Sequence, residues 1–181
     1  MHEFNKLFNI GLNKSGTTSL SEALNLLGIR TIHYKFQNQR VSDVINTNID
    51  NNNKPLTGLE YYTGFSDFRG KSFYKLLDKE YPNSKFIITT RPLKEWIKSR
   101  VAHVKRNLVN KSYKYEFTKI DEKKWIKERD LFFQEVNAYF KNSPNKLLII
   151  DITSGDGWDK LCPFLNMPVP NIDFPKKNIK R

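Results

Sequence analysis

The chain has few of the residues that cross-link a protein or anchor it in a membrane. Its single cysteine, Cys162, excludes an internal disulfide and a cysteine-based zinc site. No apolar run approaches the roughly 20 residues that a membrane-spanning helix needs. Residues 1–4 lack the apolar segment of a signal peptide. We therefore expect a cytoplasmic protein that is kept in a reducing compartment and has no membrane span.

Acidic residues are also far fewer than basic residues. Lysine and arginine number 31 against 19 aspartates and glutamates, which gives a formal net charge of +12 over 181 residues. Such an excess predicts an anionic ligand, an acidic acceptor or non-specific affinity for nucleic acid, and it does not choose among them. Aromatic residues make up 13% of the chain, which excludes a disordered polypeptide.

Hydrophobic patterning predicts one α/β domain over residues 1–181, with a mainly parallel sheet covered by helices. Strands are predicted at residues 7–10, 30–34, 59–65, 85–90 and 147–150, and those at 7–10, 85–90 and 147–150 are the most apolar. Stretches with apolar residues every three or four positions lie at 20–27, 73–81, 96–101, 125–140 and 158–165. The Asn-rich stretch 46–53 and the polar residues 107–120 are interpreted as loops. Asp156 is predicted to cap the last helix.

The stretch Gly11–Thr18 joins the first predicted strand to the first predicted helix. Free backbone N–H groups and the positive end of the helix dipole meet there, and both attract phosphate. The two glycines keep the spacing of a Walker loop, but Lys14 precedes Gly16 instead of following it. A phosphate site is therefore predicted, although a glycine turn that only caps a helix gives the same pattern.

A second anion site is predicted at the end of the strand at 85–90. Arg91 follows that strand, and Ser99 lies eight residues later, two turns into the next helix. A guanidinium presents a planar fork that suits bidentate phosphate contact. The carboxyl ends of parallel strands share one edge of a sheet, so Arg91 and the Gly11–Thr18 loop are expected to lie near each other.

Three parts of the chain together resemble the sulfotransferases that use 3′-phosphoadenosine 5′-phosphosulfate (PAPS). They are the loop, the Arg91/Ser99 pair with the run into it at 81–92, and the ending at 158–175. The resemblance implies a P-loop NTPase-like three-layer αβα fold and sulfuryl transfer from PAPS to a hydroxyl or amine, without a metal. It also implies a nucleotide site made of Lys14, Ser15, Gly16, Thr17, Thr18, Arg91 and Ser99.

Two features depart from the pattern of that family. Ser19 stands where many members have an aromatic residue near the adenine, and no glycine-flanked basic motif closes the site of the 3′-phosphate. Lys176 and Lys177 are candidates to replace that motif.

Transfer of a sulfuryl group needs positive charge at the leaving phosphate and a base for the acceptor. Lys14 suits the first task. His33 and Asp67, each at the end of a predicted strand, are the candidates for the second, ahead of His103. His33 has the better intrinsic pKa, whereas Asp67 needs a raised pKa or acts by orientation. The sequence leaves these two catalytic candidates open.

Two other functions stay open at this point. One is a P-loop nucleotide kinase, in which Asp151 ends a strand that is similar to a Walker B strand. The other is a basic nucleotide- or polyanion-binding protein without catalysis, suggested by the run 94–114 with Tyr113 and Tyr115. If the protein is an enzyme, we expect a small-molecule or anionic acceptor and no specific nucleic-acid partner. Residues 35–66 and 107–121 would then shape the pocket for the acceptor. The sequence does not indicate an oligomeric state.

Overall fold

A computed structural model describes residues 3–111, 113 and 117–177. Its central sheet has five parallel strands in the order β2-β5-β1-β6-β7. Their bounds are β1 Leu7–Asn9, β2 Thr31–His33, β5 Gly64–Ser66, β6 Lys85–Thr89 and β7 Leu147–Ile150. A separate antiparallel hairpin, β3 Lys35–Phe36 and β4 Gln39–Arg40, follows β2.

Helices cover both faces of the sheet. Their bounds are α1 Thr17–Leu26, α2 Val41–Asp50, α3 Tyr74–Glu80, α4 Leu93–Val109, α5 Glu122–Phe140 and α6 Trp158–Leu165. Short 3₁₀ turns lie at Gly70–Ser72, Pro144–Lys146 and Ile152–Ser154. No helix in the described ranges is long and apolar enough to cross a membrane.

Side chains that alternate along the strands pack into two separate hydrophobic cores. Leu7 packs with α1 and α6 on one face, whereas Phe8 packs with α2, α3 and α5 on the other. Successive strand residues point to opposite faces, so β1, β6 and β7 each supply both cores, whereas β2 and β5 supply only the second. A third cluster joins Trp96 and Val104 of α4 to Trp125 of α5. The predicted three-layer αβα architecture with a parallel sheet is confirmed.

The Asn-rich stretch is not the predicted loop, because α2 runs through it as far as Asp50. Val41 and Ile45 are fully buried in the core, with Val44 and Ile49 packed against it. Burial of this apolar stripe outweighs the low helix propensity of asparagine.

Three other local predictions are wrong in part or whole. The strand predicted at 59–65 is confined to Gly64–Ser66, because residues 56–62 form turns in which Leu59 and Tyr62 donate N–H bonds to Leu56 and Leu59. Asp156 does not cap α6: its carboxylate accepts from the backbone N–H of Asp151 and from Lys160. The predicted bridge at 107–120 begins inside α4, while residues 112 and 114–116 lie outside the described residues.

Candidate functional site

A cleft of about 1950 Å³ opens along the carboxyl ends of the parallel strands. Parallel sheets bind ligands at this edge because the loops that follow the strands converge there. Among the described residues, eleven lysines and arginines line the cleft against three acids, Asp67, Glu95 and Glu128. Such a basic, partly enclosed cavity focuses a positive field and favours an anionic ligand.

The loop between β1 and α1 forms one wall of the cleft and is fixed from beneath by Asn9. This buried amide accepts from the N–H of Gly11 at 3.1 Å and donates to the Ser66 hydroxyl at 3.0 Å. Gly11 has no room for a side chain, since an added Cβ would lie 2.7 Å from the backbone N and O of Thr89. The loop is thus seated directly on the neighbouring strand β6.

Lys14 and Gly16 give this loop its shape. Both adopt left-handed backbone conformations, with φ of 69° and 100°. Gly16 is the N-cap of α1 and has no side chain to occupy the N–H groups of the first turn, so these groups are directed at the cleft. Burial lowers the pKa of Lys14, Arg106 and Arg91 lower it further, and Asp67 opposes them. Lys14 therefore lies close to three other charged groups of the cleft.

Ser15 differs from its neighbours in the loop because its side chain points inward. It is 2% exposed, donates to the carbonyl of Leu12 and lies 2.8 Å from the Thr89 hydroxyl. Among the predicted loop residues, Lys14, Gly16, Thr17 and Thr18 line the cleft. Ser15 can offer a ligand its backbone N–H, while its hydroxyl holds the loop against β6.

Arg91 and Ser99 line the same cleft, on the segment that follows β6. The backbone carbonyl of Arg91 accepts from Arg129 at 3.3 Å. The guanidinium of Arg91 lies 3.9 Å from the Glu95 carboxylate, and the Arg91 side chain is only 28% exposed. Within the described residues, the buried Nε of Arg91 has no hydrogen-bond partner. A buried donor without a partner is costly, so this guanidinium is suited to an anion bound in the cleft.

His33 and Asp67, which the sequence offered as alternatives, lie beside each other. Their side chains are 29% and 31% exposed, and His33 Nε2 is 3.9 Å from Asp67 Oδ2. The same nitrogen is 3.4 Å from the Thr17 hydroxyl. Burial lowers the pKa of His33. Burial also raises the pKa of Asp67 from 3.8 to about 6, although Lys14 opposes this rise. At neutral pH the pair therefore holds a neutral imidazole and a carboxylate that is weakly basic.

A link between α4 and the Gly11–Thr18 loop was missed in the sequence. Trp96 Nε1 donates to the carbonyl of Asn13 at 2.9 Å, and the Arg100 guanidinium donates to the Asn13 side chain. Arg100 is itself enclosed by three rings, 4.8 Å from Trp96, 4.6 Å from Phe117 and 4.4 Å from Trp125. Burial lowers its pKa to about 10. These contacts fix the residue that precedes Lys14.

His103, the weakest of the candidate bases, lines the cleft one turn beyond Ser99. Burial, together with the positive charges of Lys14, Arg106 and Arg100, lowers its pKa from 6.5 to about 4. Its ring packs on Phe117, with the centroids 5.3 Å apart. The imidazole is thus neutral and surrounded by cations, which makes it a weaker base than His33.

The C-terminal segment crosses the start of α1. The backbone N–H of Lys177 donates to the Ser19 hydroxyl at 2.9 Å, and its ammonium lies 3.8 Å from Glu22. Lys176 and Lys177 both line the cleft. Ser19, which replaces the aromatic residue of the family pattern, therefore holds this basic segment beside the Gly11–Thr18 loop.

Asp151 is engaged in local structure. Its carboxylate accepts from the backbone N–H groups of Thr153 and Ser154, each at 3.0 Å, and from both of their hydroxyls. Asp151 is thus the N-cap of the short turn Ile152–Ser154. The Walker B interpretation loses its main support, because the carboxylate already accepts four hydrogen bonds.

Comparison with known proteins gives a family match and a distant relative. A family model described as a sulfotransferase domain matches residues 6–129 and 100–181. Ava biosynthesis cluster protein M of Aspergillus versicolor is 22% identical over 219 residues, an alignment that covers 94% of this chain and 79% of that protein. The family match takes in the Gly11–Thr18 loop, the Arg91 segment and the basic residues Lys176 and Lys177.

Proposed function

The chain belongs to the sulfotransferase domain family, and we propose that it transfers a sulfuryl group from PAPS to an acceptor hydroxyl or amine. The observation that carries the proposal is the meeting of two anion-binding elements in one basic cleft. Lys14 and the start of α1 form one, and Arg91 with Ser99 forms the other. Two such elements match a nucleotide that carries phosphate at both its 5′ and 3′ positions.

Each element would hold one end of the nucleotide. The N–H groups of residues 15–18, the hydroxyls of Thr17 and Thr18 and the Lys14 ammonium would hold the 5′-phosphosulfate. Arg91, whose buried Nε has no partner among the described residues, would hold the 3′-phosphate with Ser99. Lys176 and Lys177 add positive charge at the mouth. The bound nucleotide supplies the activated sulfuryl group.

The other residues act on charge and protons. The acceptor oxygen forms a bond to sulfur while the bond between sulfur and the 5′-phosphate oxygen breaks. The acceptor proton passes to the His33–Asp67 pair, which meets the need for a base near neutral pH. Negative charge grows on the departing phosphate oxygen, where the Lys14 ammonium and the N–H groups of the loop stabilise it.

Binding of the nucleotide would also strengthen the base. Lys14 is the charge that holds down the pKa of Asp67. An anion on Lys14 offsets that charge, so the pKa of Asp67 rises and its basicity increases. The base would therefore become effective mainly when the sulfuryl group is in place.

Nucleotide binding gives the direct test. In calorimetry without magnesium, adenosine 3′,5′-bisphosphate should bind more tightly than AMP or ATP, because only the bisphosphate reaches both anion sites. Lys14→Ala and Arg91→Ala should weaken this binding, whereas Lys94→Ala, on the exposed side of α4, should not. Tighter binding of ATP in the presence of magnesium would instead favour a nucleotide kinase.

A further inference from the structure

The strand order divides the cleft into two halves. Segments after β1, β6 and β7 bear the nucleotide half, which includes Lys14, Arg91 and the turn at Ile152–Ser154. Segments after β2 and β5, the adjoining pair at one edge of the sheet, bear the acceptor half, which includes Asp67. His33, the last residue of β2, is not among the described residues that line the cleft, but its Nε2 lies 3.9 Å from Asp67 Oδ2. The acceptor nucleophile must reach these two candidate bases, so the rest of the acceptor lies along the acceptor half.

The acceptor half is itself strongly basic. Four of the eleven basic residues of the cleft lie there, namely Lys35, Arg40, Arg69 and Lys71. The other seven, which lie on the nucleotide half, exceed the roughly four negative charges of a nucleotide with a 3′-phosphate and a 5′-phosphosulfate. The positive charge of the acceptor half is therefore left for another ligand.

Two of these four cations have acidic neighbours. Arg40 is bound to Asp43 at 2.8 Å, which compensates most of its charge. Lys71 is 4.0 Å from Glu128, and both of these side chains are more than 40% exposed. An exposed pair at that distance contributes little, so Lys71 keeps most of its ability to attract an anion.

Arg69 and Lys71 stand on a rigid support beside the candidate base. Phe68, 1% exposed, anchors the chain between Asp67 and Arg69, both of which have left-handed backbones and line the cleft. Gly70 packs directly against Ile10, the residue before the Gly11–Thr18 loop. A Cβ added to Gly70 would lie 2.8 Å from Ile10 Cγ2 and 2.9 Å from Ile10 Cα. The basic turn, Arg69–Ser72, therefore keeps a fixed place next to Asp67.

We propose that the acceptor is a small anion, a compound in which a hydroxyl or amine lies close to a carboxylate, phosphate or sulfate group. Arg69 and Lys71 hold the anionic group, assisted by Lys35, while the hydroxyl or amine lies at His33 and Asp67. The two-residue spacing between Asp67 and Arg69 requires the nucleophile and the anionic group to be near each other. This inference rests on the proposed sulfotransferase function.

Matched pairs of acceptors test the inference. The probes are 2-hydroxyphenylacetate against 2-hydroxyphenylacetamide, glucose 6-phosphate against glucose, and N-acetylglucosamine 6-sulfate against N-acetylglucosamine. Transfer from radiolabelled PAPS is measured, together with binding to the complex with adenosine 3′,5′-bisphosphate. In at least one pair the anionic member should exceed its neutral partner at least tenfold in kcat/KM, or in affinity where transfer is slow.

Charge-removing variants show where the preference arises. Arg69→Gln with Lys71→Gln should lower the kcat/KM or affinity of the anionic member at least tenfold. The neutral member and adenosine 3′,5′-bisphosphate should be unaffected. Lys79→Gln, the same change on an exposed position of α3 outside the cleft, is the matched control and should change nothing.

The outcomes separate the inference from the function. The inference is overturned if neutral members equal or exceed the anionic ones, if no anionic member binds or reacts, or if the control variant causes the same loss. If adenosine 3′,5′-bisphosphate itself does not bind, the proposed function fails as well. Normal nucleotide binding without a preference for anions overturns the inference alone.

Discussion

Asp67→Asn should stabilise the protein while it removes activity. Burial raises the pKa of this carboxyl from 3.8 to about 6, so its ionised form opposes folding at neutral pH. Asparagine has nearly the same shape and tolerates the left-handed backbone at position 67, where φ is 55°. The substitution therefore removes the charge without straining the chain.

The expected gain in the free energy of unfolding follows from the shift in the pKa of Asp67. A rise from 3.8 to about 6 corresponds to at most about 3 kcal/mol at 1.4 kcal/mol per unit. The side chain is 31% exposed, and solvent screening reduces the gain to about 1–2 kcal/mol. For a chain of this length that raises Tm by roughly 2–8 °C.

The pH dependence has a definite sign. Because the pKa of Asp67 is higher in the folded state than in the unfolded state, its penalty is absent below pH 4, grows to pH 6 and is complete above. The gap in Tm between variant and wild type should thus be full at pH 7.5 and vanish near pH 4. His33, whose pKa is lowered from 6.5, destabilises both proteins as the pH falls below 6.5.

Thermal melts across pH 4–8 measure this gap, with Asp78→Asn as control. Asp78 accepts from Lys146 at 2.6 Å and from Tyr139 at 3.1 Å, so its loss should lower Tm at pH 7.5. A fall in Tm for Asp67→Asn, or a gap that persists at pH 4, would refute the reasoning. In transfer assays the rate should drop about two to four orders of magnitude if Asp67 is the base.

Three further substitutions probe the nucleotide half. Lys14→Ala should reduce kcat more than nucleotide affinity, since its charge acts on the leaving phosphate; equal losses would indicate uniform binding. Arg91→Ala should weaken the affinity for adenosine 3′,5′-bisphosphate, measured by calorimetry, by roughly 1.5–3 kcal/mol and leave the saturated rate intact. Gly11→Ala, whose Cβ meets the Thr89 backbone, should lower Tm by an amount equivalent to about 1–3 kcal/mol; unchanged stability would contradict the contact.

The fold was largely predictable because strong periodic signals coincide with buried faces. Lys85–Thr89 is a strand whose residues 86–89 are buried, and its apolar, β-branched sequence admits few other interpretations. The glycine spacing likewise predicted the turn between β1 and α1, where Gly11 and Gly16 are each demanded by local geometry. In these places local preference and tertiary packing agree.

The failures occur where tertiary contacts override local preference. The second half of α2 is rich in asparagine, and this polar composition is typical of a loop. The segment is nevertheless helical, because Ile45 and Ile49 make contacts in the core. The hairpin at Lys35–Arg40 was also missed. Its turn residues Gln37 and Asn38 both have positive φ, and the usual Asn-Gly signal is absent from the sequence.

The candidate site was likewise only partly predictable. Sequence patterns predict which residues end a strand, but not the distances between their side chains. β2 and β5 are adjacent only through the strand order, and this order brings His33 of one strand to the Asp67 that follows the other. Burial lowers the pKa of His33 and raises the pKa of Asp67. The choice between His33 and Asp67 thus becomes a question about two neighbouring groups whose side chains lie 3.9 Å apart, close enough for a charge gained by one to act on the other.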